Sequence, residues 1–375
     1  MSFHWMPAQP GDALADVDTP ALILDLDRFE TNLGRLMDAA RDAGVRVRPH
    51  AKSHKSLQIA HRQIAAGAVG VCCQKVGEAE VFLAGGIKDV LVTNEIVGER
   101  KIRRLAQLAC MFSPARVGVC VDDVGIVEQL GRICDEEDAH LDVYIEIDVG
   151  QNRAGVADAD SAIELARAVI GHPRLTMMGL QAYAGSSQHR RGVPERRAGS
   201  DSAARRAAEI RDALRTASLP CEIITGGGTG TFMYEAASGV FSEIQPGSFA
   251  LMDSDYARNE VDPQVPNFEH ALFILSTVMS LRGDRATLDA GLKAFSTDSG
   301  PARPTFRGWH VHAVSDEHTV LTRVDDEGPT IRLGAKALLI PSHCDPTVNL
   351  HDWIVAIRRN KVEDVWRVDA RGAVF

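Results

Sequence analysis

The chain has 375 residues and a mass of 40.6 kDa, more than one ordinary core accommodates, so two domains or a large α/β barrel with a smaller partner are expected. Hydrophobic residues make up 45% and charged residues 25%, with no uninterrupted apolar stretch long enough to cross a bilayer, so a membrane span is excluded. A formal net charge of −10 and a pI near 5.7, with Lys and Arg dispersed, argue against a nucleic-acid or anionic-membrane surface.

From about residue 44 to residue 255, short β-branched runs alternate with amphipathic stretches such as 56–66 and 160–170. The predicted strands are 45–48, 70–73, 89–92, 116–121, 141–147, 175–180 and 221–224. An eighth is placed between Glu243 and Met252, interrupted by Pro246-Gly247. Such an alternation predicts a parallel (β/α)8 TIM-type barrel of the α/β class, with a doubly wound open sheet as the alternative. After Asp255 the runs 271–278, 285–289, 319–324, 337–340 and 353–358 read as short strands between turns, which predicts a second, mainly β domain. The polar segment 257–267 forms its boundary, and 21–26 is a candidate strand for the same domain. The expected division is a barrel of 27–256 and a β domain of 1–26 and 257–375. The first twenty residues lack a basic and then apolar leader, so no signal peptide is expected. Seven cysteines without a CxxC pair are expected as reduced thiols in the cytoplasm.

Functional residues of a barrel gather at the C-terminal ends of its strands. The first strand ends in RPHAKSHK (48–55), either a solvated basic loop or a segment in which a lysine forms a Schiff base. The seventh runs into TGGGTG (225–230), either a flexible turn or an anion cradle of backbone N–H groups and threonine hydroxyls. In PSHCDPT (341–347), an extended backbone would turn His343 and Asp345 to one side as ligands for Mn²⁺, Mg²⁺ or Zn²⁺, with Cys344 pointing away. The alternative there is a surface turn. Arg153, Tyr183 and His189 fall near the barrel mouth; their plain readings are an ion pair to Asp148, a packed core ring and an exposed loop histidine.

Taken in order, RPHAKSHK (48–55), GVCCQKVGEAE (70–80), EIDVGQNRAGV (146–156), GLQAY (179–183), TGGGTG (225–230), GSFALMDSDY (247–256), LDAGLK (288–293) and PSHCDPT (341–347) resemble the fold-type III pyridoxal-phosphate enzymes. The barrel of that class is related to alanine racemase, and within it the chain resembles the D-threonine aldolase and 3-hydroxy-D-aspartate aldolase family. The resemblance implies that Lys52 carries pyridoxal 5'-phosphate. Thr229, Gly247 and Ser248 then fall at its phosphate, with Gly227 and Gly228 close by. Arg153 matches a residue near the phenolic oxygen, Tyr183 one beside the ring, and Gln74 a further contact. Gln245 takes the place of an arginine that faces the pyridine nitrogen in alanine racemase, and a neutral amide there can donate a hydrogen bond without protonating the ring. The sequence departs from the family pattern at Ala184, where some relatives carry histidine, which bears on substrate range.

The implied reaction is retro-aldol cleavage of a D-3-hydroxy amino acid to glycine and an aldehyde. A divalent metal on His343 and Asp345 lowers the pKa of the β-hydroxyl, and His189 removes its proton. Two rivals are a D-serine dehydratase-like elimination on the same fold, which pairs histidine with cysteine at the metal, and a non-catalytic pyridoxal-phosphate carrier, which has a barrel alone. The resemblance further implies a homodimer in which the barrel mouth meets the partner's β domain.

Overall fold

The structure, a computed structural model, describes residues 5–375, so positions 1–4 of the expected β domain lie outside it. Strand β1 (Ala21–Asp25) joins the second of two sheets. The first is parallel and eight-stranded: β2 (Arg46–Val47), β3 (Val71–Cys73), β4 (Asp89–Glu95), β5 (Arg116–Val121), β6 (Leu141–Glu146), β7 (Leu175–Ala182), β8 (Ile223–Gly226) and β9 (Glu243–Ile244). Its order, β2-β9-β8-β7-β6-β5-β4-β3, is that of a (β/α)8 barrel. The remaining seam is closed by a parallel bridge between His50 and Cys72 and by Val69 N–H and Cys72 N–H donating to Val47 O (2.9 Å) and Pro49 O (2.8 Å).

Alternation along these strands builds two layers. Val117, Val119, Val143 and Ile145 face the surrounding helices, whereas Cys72, Leu91, Cys120, Tyr144 and Ile223 cluster separately. The helices begin where carboxylates can satisfy their free N–H groups: Asp25, Asp123 and Asp158 cap helices Leu26–Ala43, Val124–Glu136 and Ala159–Gly171.

The second sheet is mainly antiparallel, with β10 (Leu272–Arg282), β11 (Arg285–Leu288), β12 (Arg303–Pro304), β13 (Trp309–Val314), β14 (Thr319–Arg323), β15 (Lys336–Ile340), β16 (Trp353–Arg358) and β17 (Lys361–Arg367). Its order is β13-β14-β11-β10-β1-β16-β17, with β15 pairing β10 and β12. β1 lies antiparallel to β10 and parallel to β16, so the candidate strand 21–26 joins this sheet, ending at Asp25. Helix Leu26–Ala43 buries Phe29, Leu33 and Leu36 in one core with Phe249 and Leu251 of the barrel and Ile274 and Leu339 of the second sheet. That shared core holds the second sheet against the barrel.

Three sequence expectations change. The eighth barrel strand is only Glu243–Ile244, because Pro246 has no N–H for a ladder and the chain then turns at Ser248–Ala250. Strands β12, β13 and β17 were not predicted: Arg303–Pro304 is only two residues long, Trp309–Val314 carries histidines at 310 and 312, and Lys361–Arg367 is a polar end strand. Segment 343–345 is not extended, since a short helix, Cys344–Val348, starts immediately after His343. All seven cysteines are free, and no described helix is long and apolar enough to cross a membrane.

Candidate active site

One cavity at the C-terminal ends of the barrel strands gathers every candidate residue except Gly227. A wider groove of about 450 Å³ adjoins it through Thr229 and Tyr256 but contains no lysine. The candidate residues therefore meet in the smaller cavity.

Lys52 enters from the turn Ala51–Ser53 that follows β2. His50 starts that turn: its Nδ1 accepts the Lys52 N–H (3.4 Å), and its carbonyl accepts the Ser53 hydroxyl (3.1 Å). Its Nε2 lies 3.1 Å from Gln74 Oε1 and 3.0 Å from Thr93 Oγ1. Burial, reinforced by the charge of Lys52, holds the His50 pKa well below its ordinary value. A neutral His50 with its hydrogen on Nε2 satisfies all these contacts. Gln74 completes the support by donating to Thr93 O (3.1 Å).

Gly228, Thr229, Gly247 and Ser248 form the opposite wall. A Cβ on Gly247 would stand 2.9 Å from His50 O, so only glycine lets this backbone line the cavity. Thr229 Oγ1 accepts the Phe249 N–H (3.0 Å), which leaves the hydroxyl hydrogen free for an anion. Backbone amides and a free hydroxyl suit a phosphate group. Gly227 sits outside the cavity wall, with φ +74 placing it in the left-handed region. The rest of the glycine run has a packing reason: a Cβ on Gly230 would lie 2.3 Å from Gln188 O. Gln188 Oε1 also accepts the Gly230 N–H (3.0 Å), and its Nε2 donates to Thr231 Oγ1 (2.8 Å). The glycine loop thus seats the segment that carries His189.

At the barrel floor, Gln245 and Gln181 exchange amide hydrogen bonds of 2.8 and 3.0 Å. Gln245 Nε2 also donates to Thr225 Oγ1 (2.8 Å), which donates to Glu243 Oε1 (2.9 Å), and Glu243 accepts from Arg48 Nε (2.9 Å). As a carboxylate paired with Arg48, Glu243 only accepts. Thr225 must therefore donate to it, and both Gln245 amide hydrogens are committed. The expectation that Gln245 donates toward a pyridine nitrogen is replaced: the atom it has left to offer is Oε1, an acceptor.

The Arg153 guanidinium lies over the Tyr183 ring, 5.8 Å from its centroid, and 3.7 Å from Glu146 Oε1. The Arg153–Asp148 pair does not form; Asp148 instead turns Oδ1 to the N–H groups of Gly150, Gln151 and Asn152. Burial and the neighbouring Glu95 push the Glu146 carboxyl up to about 8, and Arg153 offsets only part of this. Tyr183 lines the cavity instead of filling the core. Ala184, at the position of the family departure, is buried and has its carbonyl bonded to Gln188 Nε2 (3.2 Å).

His189 is half exposed, its ring 4.7 Å from that of Tyr256 and its Nδ1 2.6 Å from Asp255 Oδ2. Burial lowers its pKa despite the Asp255 charge. Across the cavity stand His343 and Asp345. His343 Nδ1 bonds Asp298 Oδ2 (2.7 Å), which leaves Nε2 as the ring's available ligand atom, an arrangement common at metal-binding histidines. Asp345 faces Ser248 Oγ at 3.4 Å. Among the described residues no group of three or more His, Cys, Asp or Glu is placed to hold a metal, so an ion here would take two protein ligands and leave positions for water or substrate.

The sequence reading missed Thr93, Gln181 and Tyr256, and it gave His50 no role. Each lay within or beside a segment already singled out, and Thr93 follows directly on the third predicted strand, where a barrel exposes its functional side chains.

Comparison with known proteins agrees with this architecture. The family profile "Alanine racemase, N-terminal domain" matches residues 24–255, and "Putative serine dehydratase domain" matches 271–357. The chain is 47% identical to D-threonine aldolase of an Arthrobacter species over 98% of its own length and 96% of the relative's. It is 44% identical to 3-hydroxy-D-aspartate aldolase of Paracoccus denitrificans, covering 98% of this chain and 95% of that one. The crystal structure of D-threonine aldolase from Filomicrobium marinum superposes with a TM-score of 0.95 at 48% identity, covering 99% and 100% of the two chains. With a barrel of the alanine racemase type, a second β sheet and close relatives matched along nearly their whole length, the chain belongs to the family of D-threonine and 3-hydroxy-D-aspartate aldolases.

Proposed function

We propose that the protein is a carbon–carbon lyase, dependent on pyridoxal phosphate and a divalent metal, that cleaves D-threonine or related D-3-hydroxy amino acids to glycine and an aldehyde. The observation that carries the reading is the meeting of Lys52, His189 and the His343–Asp345 pair in one cavity beside an anion cradle. Lys52 would bind the cofactor through its amine, with Gly228, Thr229, Gly247 and Ser248 around its phosphate. Arg153, Tyr183, Gln74 and Gln245 would surround the ring. When bound, pyridoxal phosphate supplies the sink for the electrons left at Cα. His343 and Asp345 would hold a divalent ion, which we take to be Mn²⁺ and which would supply Lewis-acid polarisation at the β-hydroxyl. His189 receives the hydroxyl proton at Nε2, since its Nδ1 is held by Asp255. His50, kept neutral, puts no second positive charge beside Lys52.

The test is product analysis with D-threonine and pyridoxal phosphate, with EDTA and then with Mn²⁺ restored. Glycine and acetaldehyde that vanish with EDTA and return with metal are expected. A second reading, β-elimination, rests on the dehydratase-type match over 271–357. Ammonia and 2-oxobutanoate as products would establish it and overturn the aldolase. Absence of turnover with D-threonine and with D-3-hydroxyaspartate would leave the carrier, which needs no metal. We further propose a cytoplasmic homodimer; light scattering that gives a single 40.6 kDa chain in solution would refute the dimer.

A further inference from the structure

Asp255 does not line the cavity, yet everything around it points at His189. Its Oδ2 lies 2.6 Å from His189 Nδ1. Its Oδ1 accepts from Arg191 Nη2 (2.6 Å) and from Arg258. Its backbone N–H donates to Ser342 O (3.1 Å), immediately before His343, and its own carbonyl accepts from Arg191 Nη1 (2.7 Å). The carboxylate is therefore clamped from three sides, with one oxygen reserved for the imidazole.

We propose that Asp255 is the positioning residue of His189: it holds the hydrogen on Nδ1 and so presents an unprotonated Nε2 to the substrate hydroxyl. A carboxylate cannot donate, and at 2.6 Å its charge disfavours a bare lone pair on Nδ1, so a neutral His189 carries its hydrogen there. As the hydroxyl proton passes to Nε2, the Nδ1–H stays in place and the anionic Asp255 balances the imidazolium. The proton returns from Nε2 later in the cycle, so none is gained or lost by the dyad. The two arginines serve a separate end. They keep Asp255 ionised and occupy Oδ1, so the carboxylate cannot rotate away. The Ser342 bond ties the same residue to the segment that leads into His343 and the helix of Asp345, which sets the base and the candidate metal ligands in one frame. This inference rests on the reading of His189 as the base.

The arginines also decide what Asp255→Asn does. Their donors take the amide oxygen, which leaves the Asn NH₂ to face Nδ1 and forces the hydrogen onto Nε2. In the holoenzyme with Mn²⁺ and D-threonine, D255N is expected to lose on the order of 10²–10⁴-fold in kcat, the range of a lost proton-transfer group. KM is expected to stay within a few-fold and the cofactor absorbance to remain; Asp255→Glu recovers part of the rate. Independently, ¹⁵N-histidine spectra of the wild-type holoenzyme, assigned by difference with His189→Asn, should show the Nδ1–H form. That measurement stands even if D255N does not fold. Wild-type kcat in D255N, or an Nε2–H form in the wild type, overturns the dyad. Wild-type kcat in H189N overturns instead the reading of His189 as the base. Loss of turnover in H189N together with full activity in D255N separates the two failures.

Discussion

Single residues carry different kinds of consequence in this cavity. Lys52 is the lysine lining it, so Lys52→Ala is expected to abolish the visible absorbance of a lysine-bound cofactor after incubation with pyridoxal phosphate and desalting; a retained band refutes the assignment. Glu235 tests burial instead. It lies beneath the glycine loop with Oε1 accepting from Thr231 (2.9 Å) and Oε2 without a partner, and burial pushes it up to about 7. The native state therefore holds a proton between the ordinary carboxyl pKa of 4.5 and about 7, where the unfolded chain has released it. The contribution to stability is full below the lower value and is lost as the pH rises through the upper one. Glu235→Gln stays neutral throughout and can use Ser200 Oγ, another unpartnered buried atom. Thermal melts should find the two proteins alike near pH 4 and the variant more stable near pH 8, by on the order of 3 kcal/mol. A difference that does not change with pH removes the argument.

The glycine loop shows how two elements share one constraint. TGGGTG suggested an anion cradle, and Thr229 with Gly228 lines the cavity, but Gly230 is glycine because the backbone at Gln188 presses on it. Gly230→Ala places a methyl against a carbonyl that cannot move without carrying His189 with it. We expect a loss of about 1–3 kcal/mol, the cost of overpacking a tight contact, together with weaker cofactor binding in a spectroscopic titration. Wild-type stability and affinity would mean that the loop relaxes freely. The helix Cys344–Val348 teaches a related lesson. Strand alternation was the argument for pairing His343 with Asp345, and the alternation is absent. Both side chains nevertheless reach the cavity, because His343 precedes the helix and Asp345 lies in its first turn.

For the molecule as a whole, the barrel seam is the point of economy in backbone hydrogen bonds. β2 and β9 contribute two residues each and β3 three, so side chains must complete what the ladder leaves undone. Arg48 does so from inside, bonding Glu243 (2.9 Å) next to β2 and Asp89 (2.5 Å) on β4, with both Arg48 and Glu243 buried. Arg48→Leu would leave the buried Glu243 with only the Thr225 hydroxyl and the more distant Arg46 (3.7 Å) as partners, and should cost about 3–5 kcal/mol, read as a lowered melting temperature. It should also free Thr225 and Gln245 from their present orientation, since Glu243 anchors that chain of hydrogen bonds. An unchanged melting temperature would show that the seam does not depend on the network.

The sequence by itself determined the alternation that makes a barrel, the change to short strands after Asp255, and the segments that hold the site. Those properties are local: a repeat of two or of 3.6, a proline, a glycine run, a motif of a few residues. What only the tertiary structure decided was which polar atoms meet. Gln181 and Gln245 are 64 residues apart, Asp298 and His343 are 45 apart, and Arg48 and Glu243 are 195 apart. Nothing in the spacing of either partner announces the other, so the committed amide of Gln245, the support of His50 by Thr93 and the clamp of Asp255 on His189 could not be read in advance. A hydrogen bond needs its two atoms within about 3 Å and aligned, and only the closed barrel with the second sheet packed at its mouth brings these side chains that near.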